Sequence, residues 1–253
     1  GGGEQRDDVV RQADDLFIGG TGNDTYILHS QQQTVAEFAN EGTDTVEAYV
    51  SYVLGENLEN LTLAGVGSLN GTGNGLDNVL IGSGEGSILD GGVGNDTLWG
   101  GSFRNAESGV GTSGNDTLIG GVGHDTYLFK IDDGIDTIQD VASAGDGNRI
   151  QFGEGIAQTD LTFTHDEIAR TLTIQVGSSG ADKLLLTNFD PTGVNGSLVV
   201  ETLAFVDGST ASLAGLLGPS ITIIGTVDAD VLVGTVEHDG INAGAGHDTV
   251  YAG

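Results

Sequence analysis

The sequence predicts an all-β coil in which turns and short strands alternate along the chain. The main evidence is a nine-residue pattern written twice in succession from Gly111 to Leu128, as GTSGNDTLI and GGVGHDTYL. Each copy has a glycine-rich first half, an aspartate at position six, a threonine at position seven and a large apolar residue at position eight. A fixed short period of this kind indicates a repeat architecture. The pattern recurs at Gly19–Ile27, at Gly91–Trp99 and, more loosely, at Ala243–Tyr251.

The last three positions of each copy predict the strands. Threonine and large apolar residues favour extended backbone, and alternation sends position eight to one face and positions seven and nine to the other. Two turns and two strands then make one coil of twice nine residues, so turns on the same side recur once per coil. Position-six aspartates separated by 18 or 20 residues fit this rule: Asp230 and Asp248, Asp96 and Asp116, Asp116 and Asp136, and Asp24 and Asp44.

The first six positions predict a site for a hard cation. Glycines at positions one, two and four allow positive φ and close backbone approach, so the turn leaves carbonyl oxygens pointing inward. The aspartate adds a carboxylate, and the pattern offers no nitrogen or sulfur donor. Such donors suit Ca²⁺, which takes about 6–8 oxygen ligands. One turn cannot supply that many, so two turns must share each ion.

Three copies, Gly19–Ile27, Gly91–Trp99 and Gly120–Leu128, match GGxGxDxUx in full, and the chain resembles the RTX (repeats-in-toxin) calcium-binding proteins. The resemblance implies a right-handed parallel β-roll with several Ca²⁺ ions held between successive turns. A glycine-rich linker, the alternative, does not explain large apolar residues at one register. The predicted metal-site residues are Asp15, Gly20, Gly22, Asp24, Asp44, Asn78, Gly92, Gly94, Asp96, Gly114, Asp116, Gly121, Gly123, Asp125, Asp136, Asp230, Asp239, Gly244, Gly246 and Asp248.

The predicted organisation begins with two segments of coils. Residues 1–69 are interpreted as degenerate and variant coils, where sparse glycines leave a metal-free coil as the alternative to a liganded one. Residues 70–139 are the main calcium-binding block, in which Asn78 at position six is expected to weaken its site. A bulged loop is expected at Gly100–Val110. The inward slot of the main block holds Leu80, Leu89, Leu98, Leu118 and Tyr127.

The second half of the chain changes character before the pattern returns. Residues 140–217 alternate apolar and polar residues over longer runs, such as DKLLLTNF, which predicts hairpins in a small antiparallel sheet. This stretch resembles the haemolysin-type calcium-binding related segment and is interpreted as a cap on the roll. A carbohydrate-binding module is the alternative, although no aromatic stripe supports it. Residues 218–253 are a truncated second block of repeats.

Composition excludes several classes of partner. The 253 residues carry a net charge of −30, from 7 basic and 37 acidic side chains. Nucleic acid and anionic membrane surfaces are therefore not expected as partners, because binding phosphate requires clustered Lys and Arg. No apolar run of about 18 residues occurs, so membrane insertion is not expected. Self-association and contacts with neighbouring domains of the same long chain are left open.

The sequence does not predict an enzyme. HExxH and GxSxG are both absent, which removes two familiar hydrolase signatures from this chain, though a catalytic domain elsewhere in the parent protein is compatible with it. His124 and His247 occupy the variable position five and are interpreted as loop surface. His165 is interpreted as part of a solvated turn, and Trp99 at position nine is predicted to face outward.

The expected function is a calcium-binding structural module of a secreted or cell-surface bacterial protein. A thin apolar interior and strong negative charge give the calcium-free chain little reason to fold, so metal-binding free energy becomes folding free energy. The resemblance to RTX proteins implies folding after one-step, type I export. The alternatives are a C-terminal secretion and folding domain of an exported hydrolase of protease, lipase or epimerase type, a ligand- or ice-binding adhesin domain, and a subunit of an extracellular filament or surface layer.

Overall fold

The computed structural model describes residues 14–101, 114–140, 147–190, 198–217, 222–233 and 240–251. The predicted ligand Asp239 and most of the expected loop at Gly100–Val110 lie outside them. Regular structure in the described part is almost entirely β. Its strands are β1 (Leu16–Phe17), β2 (Thr25–Leu28), β3 (Thr34–Val35), β4 (Thr45–Ala48), β5 (Tyr52–Val53), β6 (Asn60–Leu63), β7 (Asn70–Thr72), β8 (Val79–Ile81), β9 (Ile88–Val93), β10 (Thr97–Trp99), β11 (Thr117–Val122), β12 (Thr126–Phe129), β13 (Ile135–Ile138), β14 (Arg149–Phe152), β15 (Leu161–Asp166), β16 (Thr171–Val176), β17 (Asp182–Thr187), β18 (Thr202–Ala204), β19 (Thr210–Ser212), β20 (Thr222–Ile224), β21 (Val231–Val233), β22 (Gly240–Asn242) and β23 (Thr249–Tyr251).

Helices are short and few in this part of the chain. A 3-10 helix spans Gln158–Asp160, and helix α1 spans Leu213–Leu217. Among the described residues, none of the helices has the length and apolar character needed to cross a membrane.

Two large sheets carry most of the described strands, and consecutive strands of the main repeat block alternate between them. The pairs β1-β3 and β21-β23 form two small sheets of their own. The first sheet has the order β19-β18-β14-β12-β10-β8-β6-β4-β2 within the described residues, and the second has the order β22-β20-β15-β16-β17-β13-β11-β9-β7-β5. From β2 to β14 in the first sheet, and from β5 to β13 in the second, every neighbouring pair is parallel and one coil apart. The predicted β-roll is therefore confirmed.

The position-eight side chains form the core between the two sheets. Leu80, Leu98 and Tyr127 pair in register across the first sheet, and Leu89 pairs with Leu118 in the second. All five are fully buried, as the inward slot requires. Each sheet contributes one narrow row of these side chains to the core. Because burying one of them stabilises the fold by about 1.5–3 kcal/mol, each coil makes a modest contribution to stability.

The variant coils between residues 28 and 69 continue the same sheets although they lack the glycine pattern. Val46 of β4 and Leu61 of β6 stand in the row that continues to Leu80, and both are fully buried. The apolar register therefore suffices to place a strand, and the glycines have another role.

The segment from 140 to 217 differs from the predicted cap in how it joins the roll. Its antiparallel strands exist, since β15, β16 and β17 form a meander and β18 pairs with β19. They do not form a separate small sheet, however, because β17 adds in parallel to β13 and β14 adds to β12. On the far side β15 pairs with β20 of the second repeat block. The second sheet thus runs through the meander without a break.

Two aromatic side chains expected at the surface are buried. Trp99 is only 8% exposed. The Lys130 ammonium lies 3.3 Å from the centroid of the Trp99 ring, and Trp99 Nε1 donates to Asp133 Oδ2 at 3.1 Å. His165 lies in strand β15 rather than in a turn and packs edge-on against Phe189 at 5.1 Å between ring centroids. Burial lowers the pKa of His165, so its ring is held neutral in the core. His124 and His247 are exposed, as predicted.

Candidate metal centre

The position-six side chains form a ladder that connects successive turns on one side of the roll. The turns that lead into the first sheet are called here the first turn row. In this row, except between Glu59 and Asn78, a side-chain oxygen accepts the backbone N–H of the position-six residue one coil earlier. Asp44 Oδ1 lies 2.8 Å from the amide nitrogen of Asp24, and Asp125 Oδ1 lies 2.8 Å from that of Asp96. The position-six residues of this row are Asp24, Asp44, Glu59, Asn78, Asp96, Asp125 and Asn148.

A second turn row leads into strands β11 and β13 of the second sheet. Asp116 Oδ1 accepts the backbone N–H of Ser87, and Asp136 Oδ1 lies 2.9 Å from the amide nitrogen of Asp116. A third pair stands apart from both rows, with Asp248 Oδ1 3.1 Å from the amide nitrogen of Asp230. The structure therefore brings together the predicted pairs Asp24 and Asp44, Asp116 and Asp136, and Asp230 and Asp248.

The predicted pairing of Asp96 with Asp116 is wrong, because the two belong to different turn rows. The partner of Asp96 is Asp125, at a separation of 125 − 96 = 29 residues, which is 11 more than a regular coil. The chain has 12 residues between Gly101 and Gly114, where a full copy of the pattern has one. The sequence match at Gly111–Ile119 therefore does not identify the glycine beside the Asp116 carboxylate. The glycine that packs against the Asp116 carboxylate is Gly100.

Glycines at positions two and four have the positive φ that the pattern predicts. In the turn before β10, φ is 99° at Gly92 and 138° at Gly94, and Gly121 and Gly123 repeat these values within a few degrees at 101° and 142°. A Cβ at Gly121 or Gly123 would overlap the carbonyl oxygen of Gly92 or Gly94, respectively. Carbonyl oxygens of one turn therefore face the next turn in the row. Gly244 and Gly246 show the same positive φ and the same approach to carbonyl oxygens. Gly20 and Gly22 have positive φ, but a Cβ on either would meet no neighbouring atom. Gly114 lies against the backbone of Gly86.

Position one requires glycine for a different reason from the one predicted. Gly19, Gly91 and Gly120 are not among the described glycines with positive φ. Instead, a Cβ on Gly91 would overlap the Oδ2 atom of Asp96, and one on Gly120 would overlap that of Asp125. The first glycine therefore makes room for the carboxylate that ends its own turn.

The second carboxylate oxygen of the position-six aspartates is available as a ligand for a cation. Asp24, Asp96, Asp116 and Asp136 each keep a buried Oδ2 atom with no hydrogen-bond partner in the described part of the chain. A buried carboxylate without a full set of partners is costly, and the pKa values record this cost. Burial raises the pKa of Asp96 to about 7, that of Asp116 to about 6 and that of Asp136 to about 8.

These residues fit a hard divalent cation. The donors are carboxylate oxygens and the carbonyl oxygens of positions two and four, which are the ligands that Ca²⁺ takes in proteins. A bound cation would supply the positive charge that offsets the buried carboxylates. The residues that would hold it are the paired aspartates of each turn row and the glycine carbonyls beside them.

The contacts or register of three predicted ligands do not indicate a cation. The amide of Asn78 accepts the N–H of Asn74 at 2.7 Å and donates to the carbonyl oxygens of Leu58 and Glu59. Asp230 Oδ2 accepts the N–H of Thr226 at 2.6 Å. Asp15 precedes β1, which pairs with β3, so its register partner is Gln33 rather than a second carboxylate. Metal ligation by these three residues stays a prediction with no support from their contacts.

Sequence reasoning missed two residues of the first turn row, and a third that lies beside it. Glu59 Oε2 accepts the N–H of Asp44 at 2.8 Å, and Asn148 Oδ1 accepts that of Asp125 at 2.8 Å. Each directly precedes a strand whose second residue is buried and apolar, so that pattern alone could have placed both. Glu37, which lies beside Asp24 and Asp44, has no such signal.

Comparison with known proteins agrees with this geometry. The family model for the RTX calcium-binding nonapeptide repeat matches in four copies, at residues 12–27, 72–106, 105–129 and 224–253. The matched residues include β2, β8 to β12 and the pair β21 and β23, whereas the variant coils and the antiparallel meander lie outside them.

Two relatives are glycanases of Rhizobium meliloti (strain 1021). Endo-1,3-1,4-beta-glycanase ExsH is 44% identical over 66 residues, which is 26% of this chain and 14% of the relative. Endo-1,3-1,4-beta-glycanase EglC is 41% identical over 69 residues, which is 27% of this chain and 15% of the relative. The similarity thus covers a small part of each glycanase. Together with the ladders of buried aspartates, the four family matches show that this chain carries RTX calcium-binding nonapeptide repeats.

Proposed function

We propose that this chain is a calcium-dependent folding module of an exported bacterial protein, with the ions held between successive turns of each row. The observation that carries the proposal is the set of buried Oδ2 atoms at Asp24, Asp96, Asp116 and Asp136, which have no hydrogen-bond partner among the residues that the structure describes. They recur where two turns of the same row meet, as a shared ion requires.

Electrostatics couple the ion to folding. The chain has a net charge of −30, and self-repulsion of this size opposes compaction. Because the paired carboxylates meet only in the coiled chain, the free energy of ion binding contributes directly to folding. Calcium modules outside cells typically have Kd values of about 10⁻⁴–10⁻³ M. The chain would therefore stay unfolded during export from a calcium-poor cytosol and fold outside.

Far-UV circular dichroism of the 253-residue chain tests the proposal. Titration with CaCl₂ from an EGTA-treated sample should produce the β spectrum cooperatively, and renewed EGTA should remove it. MgCl₂ at the same concentration is the control, because Mg²⁺ demands a smaller octahedral site and gives up its water reluctantly. A full β spectrum in EGTA would refute the proposal.

A second candidate is a module attached to an exported glycan hydrolase. The observation that favours it is the similarity to the two glycanases, both matched over a short region only. The chain would then assist the folding or secretion of a catalytic domain elsewhere in the parent protein. The coding sequence around this segment decides the matter: a hydrolase domain upstream supports this candidate, and uninterrupted further repeats support a structural or adhesive protein.

A further inference from the structure

The carboxyl group of Glu37 lies among the predicted ligands of the first turn row, although Glu37 belongs to no copy of the nonapeptide. It follows β3 by two residues. Its side chain is 7% exposed, its Oε1 atom accepts the hydroxyl of Tyr26, and its Oε2 atom has no hydrogen-bond partner in the described part of the chain.

Glu37 points its carboxylate at a pair of aspartates from two successive turns. One ligand atom from each of Asp24, Glu37 and Asp44 lies within 4.8 Å of the other two. Asp44 is 1% exposed, and Asp24 contributes the buried Oδ2 atom that lacks a hydrogen bond. Three carboxylates so close together repel one another strongly when buried, so the cluster requires either protons or a cation.

We propose that Asp24, Glu37 and Asp44 form a cation site with three carboxylates, in which Glu37 is a ligand from outside the nonapeptide pattern. The donors are all oxygens, so the site takes a hard cation such as Ca²⁺ or a lanthanide. The identity of the natural ion rests on the proposed function. With three negative charges, the site binds more tightly than a gap with only two aspartates and fills first.

The pKa of Glu37 agrees with this arrangement. Burial, followed by the charge of Asp44, raises the pKa of Glu37 to about 7. Burial also raises the pKa of Asp44. A cation bound there would therefore compete with a proton on Glu37.

Asp140 provides a matched control within the same chain. It follows β13 by two residues, as Glu37 follows β3, and it accepts the hydroxyl of Tyr127 as Glu37 accepts that of Tyr26. Asp140 Oδ2 also accepts Asn148 Nδ2 at 2.7 Å. Asp125 stands there in the place of Asp24, and the amide of Asn148 stands in the place of Asp44. The surroundings of Asp140 therefore contain one carboxylate fewer than the Glu37 cluster and one amide donor more.

The experiment counts and ranks the ions bound to the full chain. Terbium binding is followed by tyrosine-sensitised emission, and ions are counted by native mass spectrometry at increasing CaCl₂. Glu37→Gln keeps the shape and the acceptor for Tyr26 but removes the charge. It should remove the tightest ion or weaken it by about tenfold or more, since even the outer partners of metal ligands are worth about 10–100-fold. Asp140→Asn should change neither the count nor the tightest affinity.

The outcomes separate this inference from the proposed function. If Glu37→Gln still folds with calcium and binds its tightest ion with unchanged affinity, the inference is overturned and the proposed function stays intact. Loss of that site supports the inference, even if the β spectrum proves independent of calcium. Should Glu37→Gln fail to give the β spectrum, Glu37→Asp is used instead. It keeps the charge on a shorter side chain, and a tightest affinity equal to that of the parent protein overturns the inference.

Discussion

The space between two successive turns of the first turn row is called here a gap. Two such gaps show two ways of joining neighbouring coils. Between the turns that end at Asp96 and Asp125, the backbone N–H of Asp96 donates to Asp125, and the buried Oδ2 atom of Asp96 has no hydrogen bond. Between the turns that end at Glu59 and Asn78, amide hydrogens fill the gap instead. Asn78 Nδ2 lies 3.1 Å from the carbonyl oxygen of Leu58 and 3.2 Å from that of Glu59.

The second gap is closed further by Asn74 at position two. Its Nδ2 atom lies 2.7 Å from the carbonyl oxygens of both Gly55 and Leu58. Carbonyl oxygens of one turn thus need partially or fully positive partners in the next turn. In the gap between Glu59 and Asn78 these partners are amide N–H groups. Under the proposed function, a cation takes that role in the gap between Asp96 and Asp125. A β-roll can therefore mix coils that depend on calcium with coils that do not.

Asp96→Asn should have the largest effect, because it replaces the unsatisfied carboxylate by an amide. One ion should be lost by native mass spectrometry. At calcium concentrations about 100-fold above Kd, loss of one site lowers the free energy of unfolding by about 2.7 kcal/mol. Thermal unfolding in CaCl₂ measures this effect. An unchanged ion count would show that the gap at Asp96 does not bind calcium.

Asn78→Asp makes the reverse change and should have two opposed effects on the folded protein. At calcium concentrations too low to fill the new site, it removes two amide hydrogen bonds, each worth about 0.5–1.5 kcal/mol, and places a carboxylate beside carbonyl oxygens. In CaCl₂ it should add an ion. Asn74→Gly with Asn78→Asp removes the second amide as well and should bind the new ion more tightly than the single variant. Equal ion counts in all three proteins would contradict the comparison.

Gly91→Ala tests why position one of a calcium turn is glycine. The new methyl group would overlap Asp96 Oδ2, and such overpacking costs about 1–3 kcal/mol. The calcium midpoint should rise as well, because under the proposed function the displaced carboxylate is a ligand. Gly75→Ala is the matched control in the turn that ends at Asn78, since a Cβ there meets nothing within 4 Å. Its thermal midpoint should equal that of the parent protein.

The repeat could be predicted from sequence because its signals are local. Glycine, aspartate and an apolar residue at fixed spacing placed both sheets and the pairs of Asp24 with Asp44 and of Asp116 with Asp136. The copy at Gly111–Ile119 misled for the same reason. A local match cannot show that the glycine packed against Asp116 is Gly100, on the other side of a long insertion.

The residues that sequence reasoning missed depend on contacts between coils. Glu37 becomes part of a site only because Tyr26 and Asp44 lie on neighbouring turns. His165 is buried because β15 is covered on both edges, by β16 and by β20, and β20 begins 57 residues further along the chain (222 − 165 = 57). No pattern within one repeat carries this information.

The pH dependence of stability should differ between the calcium-free and calcium-bound protein. Burial raises the pKa values of Asp96, Asp116 and Asp136 to about 7, 6 and 8, above the unfolded value of about 3.9. The folded state then binds more protons than the unfolded state, so without calcium folding is most favourable at low pH and becomes less favourable as the pH rises from about 4 to about 8. Circular dichroism of the calcium-free chain measures this dependence, because the β signal should grow as the pH falls.

In saturating calcium the slope should reverse, because protons compete with the ion for the same carboxylates. Stability should then be lost as the pH falls. A slope of the same sign in EGTA and in calcium would mean that the raised pKa values do not belong to calcium ligands.

Asn95→Ala should have the smallest effect. It distinguishes a hydrogen bond between turns from a metal ligand in the gap between Asp96 and Asp125. Asn95 directly precedes Asp96, and its Oδ1 atom accepts the backbone N–H of His124 at 2.9 Å from an exposed position. Loss of one such bond costs about 0.5–1.5 kcal/mol, and solvent exposure places the expected cost at the lower end because water replaces the lost acceptor. The ion count and the calcium midpoint should stay unchanged, in contrast to Asp96→Asn. If Asn95→Ala removed an ion, position five would take part in binding, and the contrast between carboxylate and amide gaps would no longer rest on position six alone.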